Sequence, residues 1–175
     1  MKPQLCTAAH LRRAPVAHRD LGHGLLAAVV IDGESSYRYA TEARLAAWRI
    51  SFDDLLRYAT LNLNDACALS GAPIQMGPPP DLLLTAVTRD GFDAARILIP
   101  EFRAFVASRL GSPFRWAAPH RDCLLCWPSQ NTESFRKFIA QRVVDEHAAA
   151  EYPLSLQLFE SDQSGIQPWI GLPGG

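Results

Sequence analysis

The chain has 175 residues, 48% hydrophobic and 20% charged, a composition that supports one packed core and excludes a disordered chain. Seventeen Lys and Arg stand against eighteen Asp and Glu, and a net charge of -1 lacks the broad positive field of a nonspecific nucleic-acid binder. No apolar run approaches the ~20 residues of a membrane span, and residues 1–20 lack the apolar stretch of a signal peptide.

Residues 1–23 read as a flexible basic segment, with Lys2, Arg12, Arg13 and Arg19 set against Asp20 and no apolar period. The folded domain is therefore expected over 24–170, with 171–175 as a tail. "LLAAVVIDG" (25–33) is an apolar run closed by Asp-Gly, a buried strand and turn, and "SSYRYAT" is its hairpin partner with Tyr37 and Tyr39 on one face. Ser51 caps a helix that carries Asp53 and Asp54 in its first turn, where the macrodipole favours negative charge. Phe52, Leu55, Leu56, Ala59, Leu63 and Ala66 recur at helical spacing, and residues 70–73 end the element. "MGPPP" (76–80) is a stiff connection, and "DLLLTAVTRDG" (81–91) is expected to be a strand.

Pro100 interrupts the helical pattern of "FDAARILIPEFRAFVASRLG", so a short turn precedes a helix that starts near Pro100 and buries Phe102, Phe105, Val106 and Leu110. "PFRWAAPHRDCLLCWP" reads as two strands around Pro119-His120. Asn131 caps the last helix, with Phe135, Phe138, Ile139 and Val143 on its core face. "LSLQLFE" (154–160) alternates as a strand, "SDQSG" turns, and "IQPW" returns beside it. Hairpins between helices argue for an α+β single domain: a mixed, mainly antiparallel sheet with about three helices packed mostly on one face.

The pair Cys123 and Cys126 has knuckle spacing, but residues three apart on a strand point to opposite sides of a sheet. The pair therefore reads as buried thiols, with no metal and no cofactor expected. Cys6 with His10, the candidate second ligand pair, lies in the part of the chain expected to be least ordered, and a thioredoxin-like site would put the first cysteine at a helix N-terminus. The "HRD" triplet (120–122) lacks the asparagine that a kinase catalytic loop needs, because position 127 is Trp127. No Gly-x-Ser-x-Gly elbow is present, and Cys123 with His120 or His147 carries no mark of activation. The four tryptophans read as packing and edge residues before a nucleobase platform.

Several stretches together resemble the uncharacterised YtpQ-like family of bacterial proteins. These are "ISFDDLLRYATLNL" with Ala59, Asn62 and Leu63, "GFDAARILI", "APHRDCLLCW" with Pro119, Arg121 and Asp122, and "EYPLSLQLFESDQSG" with Tyr152 to Ser155. The matches run from about residue 25 to 169. The resemblance implies a small cytosolic domain and brings no activity with it. The chain is shorter than that family's members, and its basic beginning replaces a more elaborate N-terminal region.

Two readings of Arg121-Asp122 stay open. In the structural one, Arg121 pairs with a carboxylate and Asp122 accepts backbone N–H bonds that fix the turn. In the functional one, Arg121 offers its fork to an anionic ligand beside Asn62. The structural reading is the simpler. For the whole chain, the expectation is a cytoplasmic, non-enzymatic binding or adaptor domain acting through a protein partner or as a homodimer, without nucleic acid or membrane. The alternative is a hydrolase or transferase assembled around Arg121, Asp122 and Cys123.

Overall fold

The computed structural model describes residues 1–11, 15–32, 37–70, 74–77, 81–162 and 165–170. Strand β1 (Lys2–Thr7) leads into the short helix α1 (Ala8–Leu11), followed by strands β2 (His18–Asp20), β3 (Leu25–Asp32) and β4 (Tyr37–Tyr39). Helices α2 (Glu42–Trp48) and α3 (Phe52–Ser70) precede strands β5 (Ile74–Met76) and β6 (Leu84–Ala86). A 3-10 helix (Ala94–Leu98) runs into α4 (Pro100–Leu110). Strands β7 (Phe114–His120) and β8 (Cys123–Pro128), helix α5 (Glu133–Ala148) and the hairpin β9 (Phe159–Asp162) and β10 (Gly165–Pro168) complete the order.

The class is α+β with mainly antiparallel pairing, and the strands divide into two sheets. In the first, β3 is central, with β1 along one side and β2 and β4 along the other. The second has the order β10-β9-β7-β8-β6-β5. Leu5, Leu25 and Ala27 of the first sheet meet Leu84, Trp116, Leu124, Cys126 and Phe159 of the second, together with Val106 and Leu110 of α4. On the other face of the six-stranded sheet, Phe135, Ile139 and Val143 of α5 cover Ala117, Cys123, Leu125 and Trp127. Helices α2 and α3 bury Leu45, Leu55, Leu56 and Ala59 against Val29 and Ala40. Trp116 stacks on Phe159 at 4.5 Å and donates its indole N–H to Ser161. Among the described residues no helix is long and apolar enough to cross a membrane.

The N-terminal expectation is corrected. Residues 2–7 are a strand in six-residue register with β3, from Lys2 opposite Val30 to Thr7 opposite Leu25, and Leu5 and Cys6 are almost wholly buried. His18–Asp20 also joins this sheet, so the domain begins near residue 2 and not at 24. The six residues alternate too irregularly to show a face, because both of their faces are covered by protein.

Other boundaries shift for local reasons. The expected strand over 81–91 stops at Ala86, because the backbone then curls so that Thr88 and Arg89 donate to the Asp93 carboxylate. The expected strand over 154–160 begins only at Phe159, since the Ser155 hydroxyl accepts from Gln157 N in a turn. Thr132, not Asn131, caps α5, accepting from Phe135 N, while Asn131 donates to Pro128 O. Phe138 lies half exposed outside the core face of that helix, and Phe105 is likewise exposed on α4. Helices α1 and α2 and strand β5 have no counterpart in the sequence reading. The start of α3 follows it: Ser51 Oγ accepts from Asp54 N at 3.1 Å. So does the start of α4 at Pro100. Helix α3 runs to Ser70, while residues 71–73 of its expected end and most of "MGPPP" lie outside the described residues.

Candidate functional site

Arg121 sits at the tip of the β7–β8 hairpin, and three features of the chain aim it. First, the ladder between β7 and β8 slips between Ala117 and His120, a bulge that re-aims the end of β7. The carbonyls freed there, Ala118 and Pro119, accept from Ser155 N and Leu154 N, which lays the segment carrying Tyr152 beside the hairpin tip. The Arg121 guanidinium then stacks on the Tyr152 ring at 4.1 Å.

Second, Asp122 braces the tip against a distant loop. Its Oδ1 accepts from Gly91 N at 2.6 Å and its Oδ2 from Arg121 Nε at 3.3 Å, while Ala94 N donates to Arg121 O. The structural role expected of Asp122 is thus present, although the N–H it holds belongs to the 87–93 loop and not to its own turn. Gly91 needs its glycine for conformation, with φ of 83°, since a Cβ there would meet nothing within 4 Å.

Third, the 87–93 loop is itself fixed from within. Arg96, 1% exposed, makes paired bonds to Asp90 at 3.2 and 2.8 Å and a further bond to the fully buried Asp93 at 2.8 Å. Asp93 also accepts from Thr88 N, the Thr88 hydroxyl and Arg89 N. Burial pushes the Asp90 carboxyl up, but the hydrogen bonds and charge of Arg96, with the Phe92 N–H, outweigh this and hold it below its ordinary 3.8.

Between this loop, the hairpin tip and the first sheet lies a cavity of about 330 Å³. Leu5, Val30, Phe92 and Leu154 are its apolar lining, and Tyr37, Tyr39, Tyr152, His10, Gln4, Gly91 and Arg121 complete it. Arg121 uses Nε for Asp122, and among the described residues its two terminal nitrogens have no protein partner. The Tyr39 hydroxyl is likewise without a protein hydrogen bond among those residues. Burial, and secondarily Cys6, raise its pKa to about 12 against the opposing charge of Arg121, so it is a neutral donor at neutral pH. Gln4 Nε2 donates to Gly91 O, and its Oε1 is shut off from solvent without a partner.

Asn62, expected beside Arg121, is not brought there. It is exposed on α3 and donates to Met1 O at 3.1 Å, outside the cavity lining. Sequence reading missed Tyr39, Phe92 and Tyr152 as site residues; the shared face of Tyr37 and Tyr39 does not say what it looks onto, and Tyr152 stood out only within its quoted motif.

The two cysteines of the hairpin lie on opposite faces as the strand period requires, Cys126 in the inner core and Cys123 under α5. Cys123 Sγ, His120 and Glu146 do come within 4.8 Å of one another, a grouping that could serve a nucleophile or a metal. The local bonding argues against both. His120 Nδ1 accepts from Asp122 N at 3.2 Å, which leaves the ring proton on Nε2, facing Glu146 at 3.5 Å. That tautomer has no lone pair free to take the thiol proton or to ligate. Burial, then the Glu146 charge, push the Cys123 thiol up to about 12, the reverse of an activated thiolate. The acidic group Asp90, Asp93 and Asp122 is already satisfied by Arg96 and backbone N–H donors, so a cation there would have to displace the guanidinium.

No family model, curated protein or solved structure matches the chain. The resemblance to YtpQ-like proteins therefore rests on the quoted motifs alone.

Proposed function

We propose that this chain is a non-enzymatic, cytoplasmic binding domain that recognises an anionic group with Arg121 at the mouth of the cavity between its sheets. The observation that carries this reading is the free edge of the Arg121 guanidinium. It is oriented by Tyr152 and Asp122, left without a protein partner at its terminal nitrogens among the described residues, and belongs to a side chain that lines an apolar, aromatic-walled space. A planar fork fixed in this way is preorganised for bidentate recognition of an anion. The cavity is at the small end of ligand sites, so it suits a small molecule or the tip of a protein partner. Unactivated Cys123 and the engaged His120 favour binding over the hydrolase or transferase alternative. Four cysteines free of disulfides suit a reducing compartment.

The test is native mass spectrometry of the tagged chain recovered from its own cells, wild type against Arg121→Ala. A retained mass, small molecule or protein, should be present in the wild type and absent from the variant, with both folded by circular dichroism. Retention of the same mass by Arg121→Ala, or a wild type that carries nothing, counts against the reading.

A further inference from the structure

We infer that the cavity's ligand is a monocarboxylate on an aromatic or branched apolar body, not a phosphate; this rests on the binding reading given above. The inference comes from which polar groups the cavity leaves unpaired. The Arg121 terminal nitrogens and the Tyr39 hydroxyl are donors with no protein acceptor among the described residues. Asp122, the carboxylate beside Arg121, already takes N–H donors on both oxygens. Gln4 Oε1, an orphan acceptor of a lining residue, is closed off from solvent. A head that accepts hydrogen bonds from the Arg121 terminal nitrogens and the Tyr39 hydroxyl matches these groups, and a carboxylate is such a head.

Charge narrows the class further. Arg121 is the guanidinium of the lining, and its charge is already shared with Asp122. Lys2 lies over the Phe92 ring at 4.6 Å and is not in the lining, so among the described residues Arg121 is the one Lys or Arg side chain there. Among the described residues the lining has no glycine-rich run of backbone N–H groups to cradle a phosphate. One shared guanidinium with a neutral phenol matches a single negative charge. Behind the head, Leu5, Val30, Phe92 and Leu154 offer only apolar contact, so the body must be apolar to exploit them.

Such a head and body could be a free acid or a chain end bearing an apolar last residue, and one titration separates them. Amide shifts of the isotope-labelled chain are followed against 3-phenylpropionate, inorganic phosphate, and a peptide ending in Phe with either a free or an amidated terminus. The expected result is saturable shifts centred on Gly91, Phe92 and Tyr152 with 3-phenylpropionate and none with phosphate. Arg121→Ala should weaken binding about tenfold or more, because a hydrogen-bonded charge is lost. Tyr39→Phe, which keeps the ring, should weaken it a few-fold, and Arg121→Lys should recover only part of the affinity.

Tighter binding of the free-terminus peptide than of 3-phenylpropionate, lost on amidation, identifies a chain end as the source; the reverse order identifies a free acid. Phosphate binding that depends on Arg121 overturns the carboxylate assignment while leaving Arg121 in its role, and binding of neither 3-phenylpropionate nor the free-terminus peptide overturns the assignment as well. Binding of every probe unchanged in Arg121→Ala overturns the underlying reading as well.

Discussion

Replacing Asp93 by alanine tests whether the buried charges of the 87–93 loop hold the cavity wall in place. Asp93 is fully buried and accepts from Thr88 N at 3.1 Å, Arg89 N at 2.8 Å, Arg96 Nη1 at 2.8 Å and the Thr88 hydroxyl. Its removal leaves two backbone N–H groups without acceptors and an enclosed guanidinium paired only with Asp90, which is itself 38% exposed. Arg96 Nε is already buried without a partner, so the guanidinium has little left to compensate. Breaking one side of a buried ion pair costs about 3–5 kcal/mol, and the orphaned donors place this case in the upper half of that range. Asp93→Asn keeps one oxygen and should cost about half as much. Arg96→Met should cost less than Asp93→Ala, because Asp93 keeps its other donors. The double variant should fall short of the summed single losses by more than about 1 kcal/mol, since the two residues share one network. Urea unfolding at constant m-value measures all four. A loss below about 1 kcal/mol for Asp93→Ala, or additive losses, would refute the reasoning.

Deleting residues 1–7 should unfold the chain or strip it of most of its stability, because it removes Leu5 and Cys6 from the core and one whole side of β3; thermal denaturation checks this. Cys6 and Cys123, their thiols both pushed up to about 12 by burial, should resist alkylation by iodoacetamide at pH 8 in the native state and react readily in denaturant, as read by mass. The depressed pKa of Asp90 contributes stability that is present above 3.8, its ordinary value, and lost as pH falls through its lower folded value. The stability gap between wild type and Asp90→Asn should therefore close on acidification, measured by unfolding across that window.

The elements legible in the sequence were those with strong local chemistry. Ser51 with its following aspartates marks a helix start wherever it occurs, Pro100 marks another, and the period-2 rule placed Cys123 and Cys126 on opposite faces without knowledge of the sheet. The segments that failed depend on distant partners. Lys2–Thr7 becomes a strand because β3 accepts it along its length, and residues 87–93 abandon extended structure because Asp93 and Arg96 gather that backbone. Arg121 and Asp122 stood out as a pair, yet the neighbours that give Arg121 its setting come from residues 39, 92 and 152. Long-range proximity of that kind leaves no trace in spacing.

The packing of the tryptophans gives the molecule a built-in optical record of its two core layers. Trp116 and Trp127 are adjacent in the β7–β8 ladder, where Trp116 faces Cys126 and Arg115 faces Trp127, yet they emerge on opposite sides of one sheet. One indole is sealed beneath α4 and Phe159 and the other beneath α5. Trp48 is 43% exposed and Trp169 lies under the Arg115 guanidinium, so neither reports on these layers. Phenylalanine replacement of one buried indole at a time would turn intrinsic emission into a separate gauge of solvent entry on each side of the six-stranded sheet. Coincident red shifts mean the two layers open as one unit; an earlier shift from Trp127 means α5 lifts away while the inner core is still dry.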